Sequence, residues 1–254
     1  MRIRRATTRG ALAGLVGALA PVAASAQDCS PDAAAAETVT IAGIESDNRI
    51  RLQDGRLVQL AGLDTASLRL PALSGLEATL YSAGQPDRHG AVHGGLMLDG
   101  ADLASRLVES GNAIVRPHPG EQFCATALLG LEESSRRNGL GLWRDPGYAV
   151  ANAELSESVS GLVDRYAVVA GMVQHVGETK DAVWIDFGKI WRTDVTIVVS
   201  KKAWPRFEAA GLTVDRIKGR RIRARGVVSL RSGPRLDISE PAAIELLDAA
   251  AQTP

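Results

Sequence analysis

The chain has 254 residues, with 29 basic and 29 acidic side chains, so its formal net charge is zero. Hydrophobic residues make up 45% of it and only two cysteines occur. This balance excludes a disordered polyelectrolyte, a disulfide-dense miniprotein and a chain that grips nucleic acid through overall positive charge.

The first residues read as a targeting segment. Arg2, Arg4, Arg5 and Arg9 form a basic start, residues 11–24 are apolar and small, and Ala24-Ser25-Ala26 is an A-x-A cleavage site. Residues 1–26 are therefore expected to be a signal peptide, and the mature protein to be exported in soluble form, periplasmic or secreted. The apolar stretch is too short and too rich in Ala and Gly to span a membrane, so no span is expected after cleavage. Removing four arginines leaves the mature chain at about −4. Residues 27–152 carry about ten arginines, no lysine and about sixteen carboxylates, whereas about fifteen bases meet about thirteen acids in 153–254. An acidic first half attracts phosphate poorly. Cys29 and Cys124 both survive cleavage and, in an oxidising compartment, are expected to form a disulfide, with two free thiols as the alternative.

In the first half, alternating apolar residues predict strands at 37–45, 49–53, 57–63, 78–83 and 91–98. Asp54-Gly55 between the second and third is a hairpin turn signal. A helix over 101–110 stops at Gly111, a short strand covers 113–116, and a last helix over 125–138 stops at Gly139. A polar, small-residue stretch at 148–160 marks the boundary between two domains, 27–152 and 153–254. The second half reads as strands at 166–176, 182–187 and 193–200, a helix at 204–210 with Pro205 in its first turn, then strands at 220–230 and 235–239. Three strands, a helix and two strands is an OB-type order, and the first half fits a closed OB-type barrel with appended helices. The expected fold is thus mainly β with short helices, two OB-type barrels in tandem.

The run Ile50–Ser67, followed by Asp87-Arg88-His89-Gly90 and by Gly139-Leu140-Gly141-Leu142-Trp143, resembles the staphylococcal-nuclease-like (thermonuclease) family over about residues 37–143. The second half resembles the C-terminal OB-type domain of some bacterial thermonuclease-like proteins, through Phe187-Gly188, Trp191-Arg192-Thr193-Asp194, Arg223-Ala224-Arg225-Gly226, Gly233-Pro234 and Pro241. The first resemblance implies phosphodiester hydrolysis with a calcium ion, two arginines and a glutamate. Metal and arginines would stabilise the charge developing on phosphorus, and the carboxylate would assist the attacking water.

Position by position, this chemistry is largely replaced. The metal-binding aspartate of the family falls on Asn48, within Ser46-Asp47-Asn48-Arg49, and the first arginine falls on Gln59. Asp64 is kept, the glutamate becomes Ser67, and the second arginine becomes Ala91. Calcium needs several hard oxygen ligands, and neither Gln59 nor Ala91 neutralises a phosphorane. The segment between Ser67 and Asp87 is shorter than the family pattern, and 70–76 is expected to leave only a turn of the usual first helix.

His89 and His93, with Asp87 nearby, lie too far apart on a strand to share one zinc ion. His118 and His175 lack partners at ligand spacing, and Ser67 has no pattern of a nucleophile around it. The basic cluster is Lys218–Arg225, in which Arg221, Arg223 and Arg225 share one face of a strand and form the candidate nucleic-acid-binding residues. Trp184, Phe187, Trp191 and Trp204 are candidate stacking partners, with Phe187 and Trp204 better read as packing residues.

These readings converge on an exported thermonuclease-like protein without a working centre or resident cofactor. It would act in the envelope by binding a nucleic acid, another polyanion or a protein. One alternative is a calcium-dependent endonuclease built from Asp47, Asp64 and Arg88 in a rearranged loop; another is a protein-interaction module.

Overall fold

The computed structural model describes residues 36–82, 86–88, 90–118, 125–190 and 193–247. The expected signal peptide at 1–26 lies outside the described residues. So do Cys29 and Cys124, and no disulfide is found among the described residues. The expected disulfide is therefore withdrawn, and the fold is held by packing, backbone ladders and ion pairs.

The first sheet follows from alternation. Strand β1 (Ala36–Ile44) turns at residues 45–49 into β2 (Ile50–Leu52), and the Asp54-Gly55 turn leads into β3 (Leu57–Leu60). Gly55 has φ +90°, a left-handed conformation that costs glycine little. Strand β4 (Glu77–Ser82) and β5 (Ala91–Leu98) complete a five-stranded barrel in the order β3-β2-β1-β4-β5, closed by parallel pairing of β3 with β5. A short β6 (Ala101–Asp102) adds to the β5 edge. Gly94 on β5 lies so close to the Tyr81 carbonyl of β4 that any Cβ would collide with it. The interior holds Ile41, Ile50, Val58, Leu60, Leu80 and Leu96, each at most 2% exposed.

Two helices cover this barrel. Helix α1 (Leu103–Glu109) is capped by Asp102, whose carboxylate accepts from the Ser105 N–H at 2.8 Å, and it ends before Gly111. Helix α2 (Ala125–Arg137) buries Leu128, Glu132 and Ser135 on one stripe. The expected strand at 113–116 is reduced to one bridge, Leu63 with Val115. Between Ser67 and β4, the 3-10 turn Thr65–Ser67 leads into non-helical chain, so not even one α-helical turn of the family's first helix forms there.

The second sheet begins with β7 (Ala151–Asn152), followed by a short α3 (Ser156–Ser160), β8 (Tyr166–Met172), β9 (His175–Glu178), β10 (Ala182–Asp186) and β11 (Thr196–Ser200). Helices α4 (Trp204–Ala209) and α5 (Val214–Ile217) precede β12 (Arg221–Leu230), β13 (Pro234–Asp237) and β14 (Ile244–Leu246). Here the expectation of two tandem barrels is corrected. The second sheet is open, with the order β7-β8-β12-β13-β11-β10-β9 and β14 attached to β12. The reason is edge occupancy. Strand β8 pairs with β12 on one edge and with β7 on the other, and no ladder joins β7 to β9. Its core comprises Val183, Ile185, Phe187, Ile197, Val199, Phe207 and neighbours, with Trp204 stacked on Phe207 at 5.9 Å. Among the described residues, no helix is long and apolar enough to cross a membrane.

Candidate functional site

The corner where the family's chemistry would sit is built from the β1–β2 turn, the end of β3 and the segment after α1. Asn48 occupies the turn with φ 63°, a left-handed conformation that Asn tolerates better than most residues. Its side-chain Nδ2 donates to the Thr65 carbonyl at 3.0 Å, tying the turn to the corner. Asp47 faces solvent and accepts from Arg49 Nε at 2.7 Å.

Asp64 is 3% exposed and fully engaged. Its Oδ2 accepts from the Ser67 N–H at 3.1 Å, capping the 3-10 turn, and its Oδ1 accepts from Arg116 Nη1 at 3.0 Å. Ser67 is buried, and its hydroxyl donates to the Asp64 carbonyl at 2.9 Å. The Arg116 guanidinium lies 4.9 Å from the Tyr166 ring centroid, in cation–π range.

Gln59 projects from the outer face of β3 and stands opposite His93 of β5. Ala91 is fully buried at the start of β5, where its N–H donates to Asp87 Oδ1 at 3.0 Å. The second oxygen of Asp87 lies 3.6 Å from His93 Nε2, and the His93 and His118 ring centroids are 6.3 Å apart. Arg88 is exposed in the preceding turn, and His89 lies outside the described residues. Among the described residues, no group of three or more His, Cys, Asp or Glu side chains is arranged to hold a metal ion. The donor set does not fit calcium either: at this corner Asn48 is neutral with its amide donating elsewhere, Ser67 supplies no carboxylate, and Asp64 is held by an arginine. Of the carboxylates in the alternative centre, Asp47 is engaged by Arg49 and Asp64 by Arg116.

The basic strand faces the other half of the molecule. Arg225 is 1% exposed, and its Nη1 donates to Glu132 Oε1 at 2.8 Å while its Nη2 donates to Glu245 Oε1 at 2.6 Å. Arg223 donates to Glu133 at 2.7 Å and to Glu245 at 3.3 Å. Arg136 bonds Glu133, lies 3.4 Å from Glu132 and sits over the Trp143 ring. Three arginines thus meet three glutamates at the junction of the two halves. Burial works against the Arg225 charge, but Glu132 and Glu245 overcome it and hold the guanidinium above its ordinary value. Burial and the neighbouring Arg223 push Arg136 down to about 10. Arg221 alone is exposed, 3.3 Å from Glu154.

All three candidate phosphate-binding arginines are therefore engaged by carboxylates, Arg223 and Arg225 within the junction and Arg221 at the surface. Tyr166 completes the junction, its hydroxyl donating to the Val115 carbonyl at 3.2 Å. Of the aromatic candidates, Phe187 and Trp204 are buried, Trp191 lies outside the described residues, and Trp184 is half-buried on a cleft. Sequence reasoning missed Arg116, Glu132 and Tyr166. Glu132 had a signal: it follows Leu128 by four residues and precedes Ser135 by three, on the stripe that packs inward.

No protein-family model matches this chain, and no curated protein matches it.

Proposed function

We propose that this chain is a catalytically inactive protein on a thermonuclease-like frame, exported to the envelope or beyond, that acts by binding. The observation that carries this reading is the state of Asp64. The one carboxylate kept at the family's positions caps a turn and pairs with Arg116, while Asn48, Gln59, Ser67 and Ala91 supply no charge around it. Removing single electrostatic stabilisers costs roughly 10² to 10³ in rate, and losses at one centre compound. The junction of Arg223 and Arg225 with the glutamates supports a second point: polyanion binding, if it is the activity, uses a surface other than the basic strand.

The test is incubation of the mature protein with single-stranded DNA, in calcium and in chelator. The expected result is intact DNA in both. Cleavage that requires calcium and disappears in an Asp64→Asn variant that remains folded would overturn the reading in favour of an endonuclease.

A further inference from the structure

The second sheet carries a cleft of about 480 Å³ on the face turned away from its core, lined by β9, β10, β11 and β13. Its size lies in the range of small-ligand sites. Strand alternation builds it. Val183, Ile185, Ile197 and Leu236 point into the core, so their neighbours form a row on the opposite face. His175 stands opposite Asp186, Asp186 opposite Thr196, and Thr196 opposite Arg235. One row along, Trp184 faces Gly177, which places no side chain beside the indole.

The groups in this cleft have a definite donor and acceptor balance. The Asp186 carboxylate accepts from Thr196 Oγ1 at 2.8 Å and lies 3.3 Å from His175 Nδ1. Glu178 is paired with Lys201, and Asp237 accepts from Arg235 Nε at 3.0 Å. Every carboxylate at or next to the cleft thus has a partner. The open charged donor is the exposed Arg231 guanidinium, which engages no carboxylate among the described residues. The exposed His175 ring is held at Nδ1 by Asp186. Planar surfaces complete the site, because the Arg235 guanidinium lies 5.2 Å from the Trp184 ring centroid and Pro234 lines the same wall.

A neutral ligand would leave the Arg231 charge without a counter-charge. An acceptor-rich, anionic ligand with a flat ring matches what is open. We infer that the Trp184 cleft binds a nucleotide unit, with the base against the Trp184, Arg235 and Pro234 surfaces and the phosphate toward Arg231. This deepens the binding reading above and rests on it for the expectation that the ligand leaves intact. The unit can come from a free mononucleotide or from a single strand, and both offer the same chemistry.

The experiment is calorimetric titration of the mature protein with thymidine 5′-phosphate, thymidine and a short oligothymidylate at two salt concentrations. Binding of the phosphate-bearing ligands, with thymidine weaker, is expected. Oligothymidylate binding more tightly than the mononucleotide would identify a single strand as the source, and equal affinity a free nucleotide. Trp184→Ala should weaken binding roughly 5- to 150-fold, the range for loss of one stacking contact. Arg231→Ala, at an exposed position that leaves the fold intact, should lower the salt slope for the single strand by about 0.7. Arg221→Ala on the basic strand should change nothing. Absence of binding to the parent protein, or binding unaltered in both Trp184→Ala and Arg231→Ala, would overturn the inference. Cleaved DNA with binding that still depends on Trp184 would instead overturn the inactive frame and leave the cleft standing.

Discussion

Arg225 and Arg235 stand on neighbouring strands of one sheet, β12 and β13, yet they serve opposite ends. Arg225 points at the other half of the molecule and is closed off by Glu132 and Glu245. Arg235 borders an open cleft, with its guanidinium over Trp184 and, among the described residues, a single carboxylate, Asp237, beside it. The same residue type acts as a structural clamp where carboxylates from a second element face it, and as a ligand surface where none does. Basic character along a strand therefore says little about phosphate binding until the opposing element is known.

Arg225→Ala should have the largest effect on stability. It leaves Glu132 buried with only the Val115 N–H and a more distant Arg136 as partners. Breaking a buried pair from one side costs about 3–5 kcal/mol, read as a lowered denaturation midpoint. Arg225→Met combined with Glu132→Gln removes both charges while the Gln amide oxygen still accepts from the Val115 N–H, and should recover part of that loss. If Arg225→Ala unfolds at the parental midpoint, the ion pairs are not what joins the halves.

Asp64→Ala should come next, at about 1–2 kcal/mol. It deletes the cap on the Thr65–Ser67 turn, and the half-exposed Arg116 loses a partner that water replaces in part. An Asp64→Asn variant keeps an acceptor for the Ser67 N–H and should lose less. Equal losses in the two would mean that the charge, rather than the cap, holds the corner.

How far the sequence reveals these two sites differs for a physical reason. Strand positions, the Asp54-Gly55 hairpin and the stops at Gly111 and Gly139 were legible, because they depend on local alternation and on left-handed backbone at one residue. The closure of the first sheet followed from those strands. The opening of the second did not, because it depends on a two-residue strand, Ala151–Asn152, taking the free edge of β8. No periodicity marks so short an element. At the site, the neutral residues Asn48, Gln59, Ser67 and Ala91 could be read directly, but the partner of Asp64 could not. Arg116 lies 52 residues away and reaches it only through the bridge between Leu63 and Val115. The cleft was hidden for a similar reason, since His175, Asp186, Thr196 and Arg235 meet only through strand register.

Tyr166→Phe should cost about 1 kcal/mol near neutral pH, the worth of its hydrogen bond to Val115. It should also change the alkaline limb. Burial raises the Tyr166 phenol above its ordinary value of 10.0, and the nearby Arg225 and Arg116 charges only partly oppose this. The raised value means that stability from the neutral phenol is fully present below about pH 10 and is lost as pH rises toward the folded-state value. Melting temperatures measured from pH 8 to pH 11 should fall more steeply in the parent than in Tyr166→Phe. Parallel curves would show that the phenol is equally free to ionise in the folded and unfolded chains.

The smallest stability effect belongs to the cleft. Arg231→Ala removes a side chain that no carboxylate engages among the described residues, so the denaturation midpoint should move by no more than about 0.5 kcal/mol. His175→Ala should do little more, because His175 is largely exposed and Asp186 keeps its bond from Thr196. A stability loss comparable to that of Arg225→Ala would mean that these side chains are already satisfied within the fold and are not open to a ligand. The expected near-neutrality follows from the same distinction that separates the two strands: arginines closed off by carboxylates hold the molecule together, and those left open can change without disturbing it.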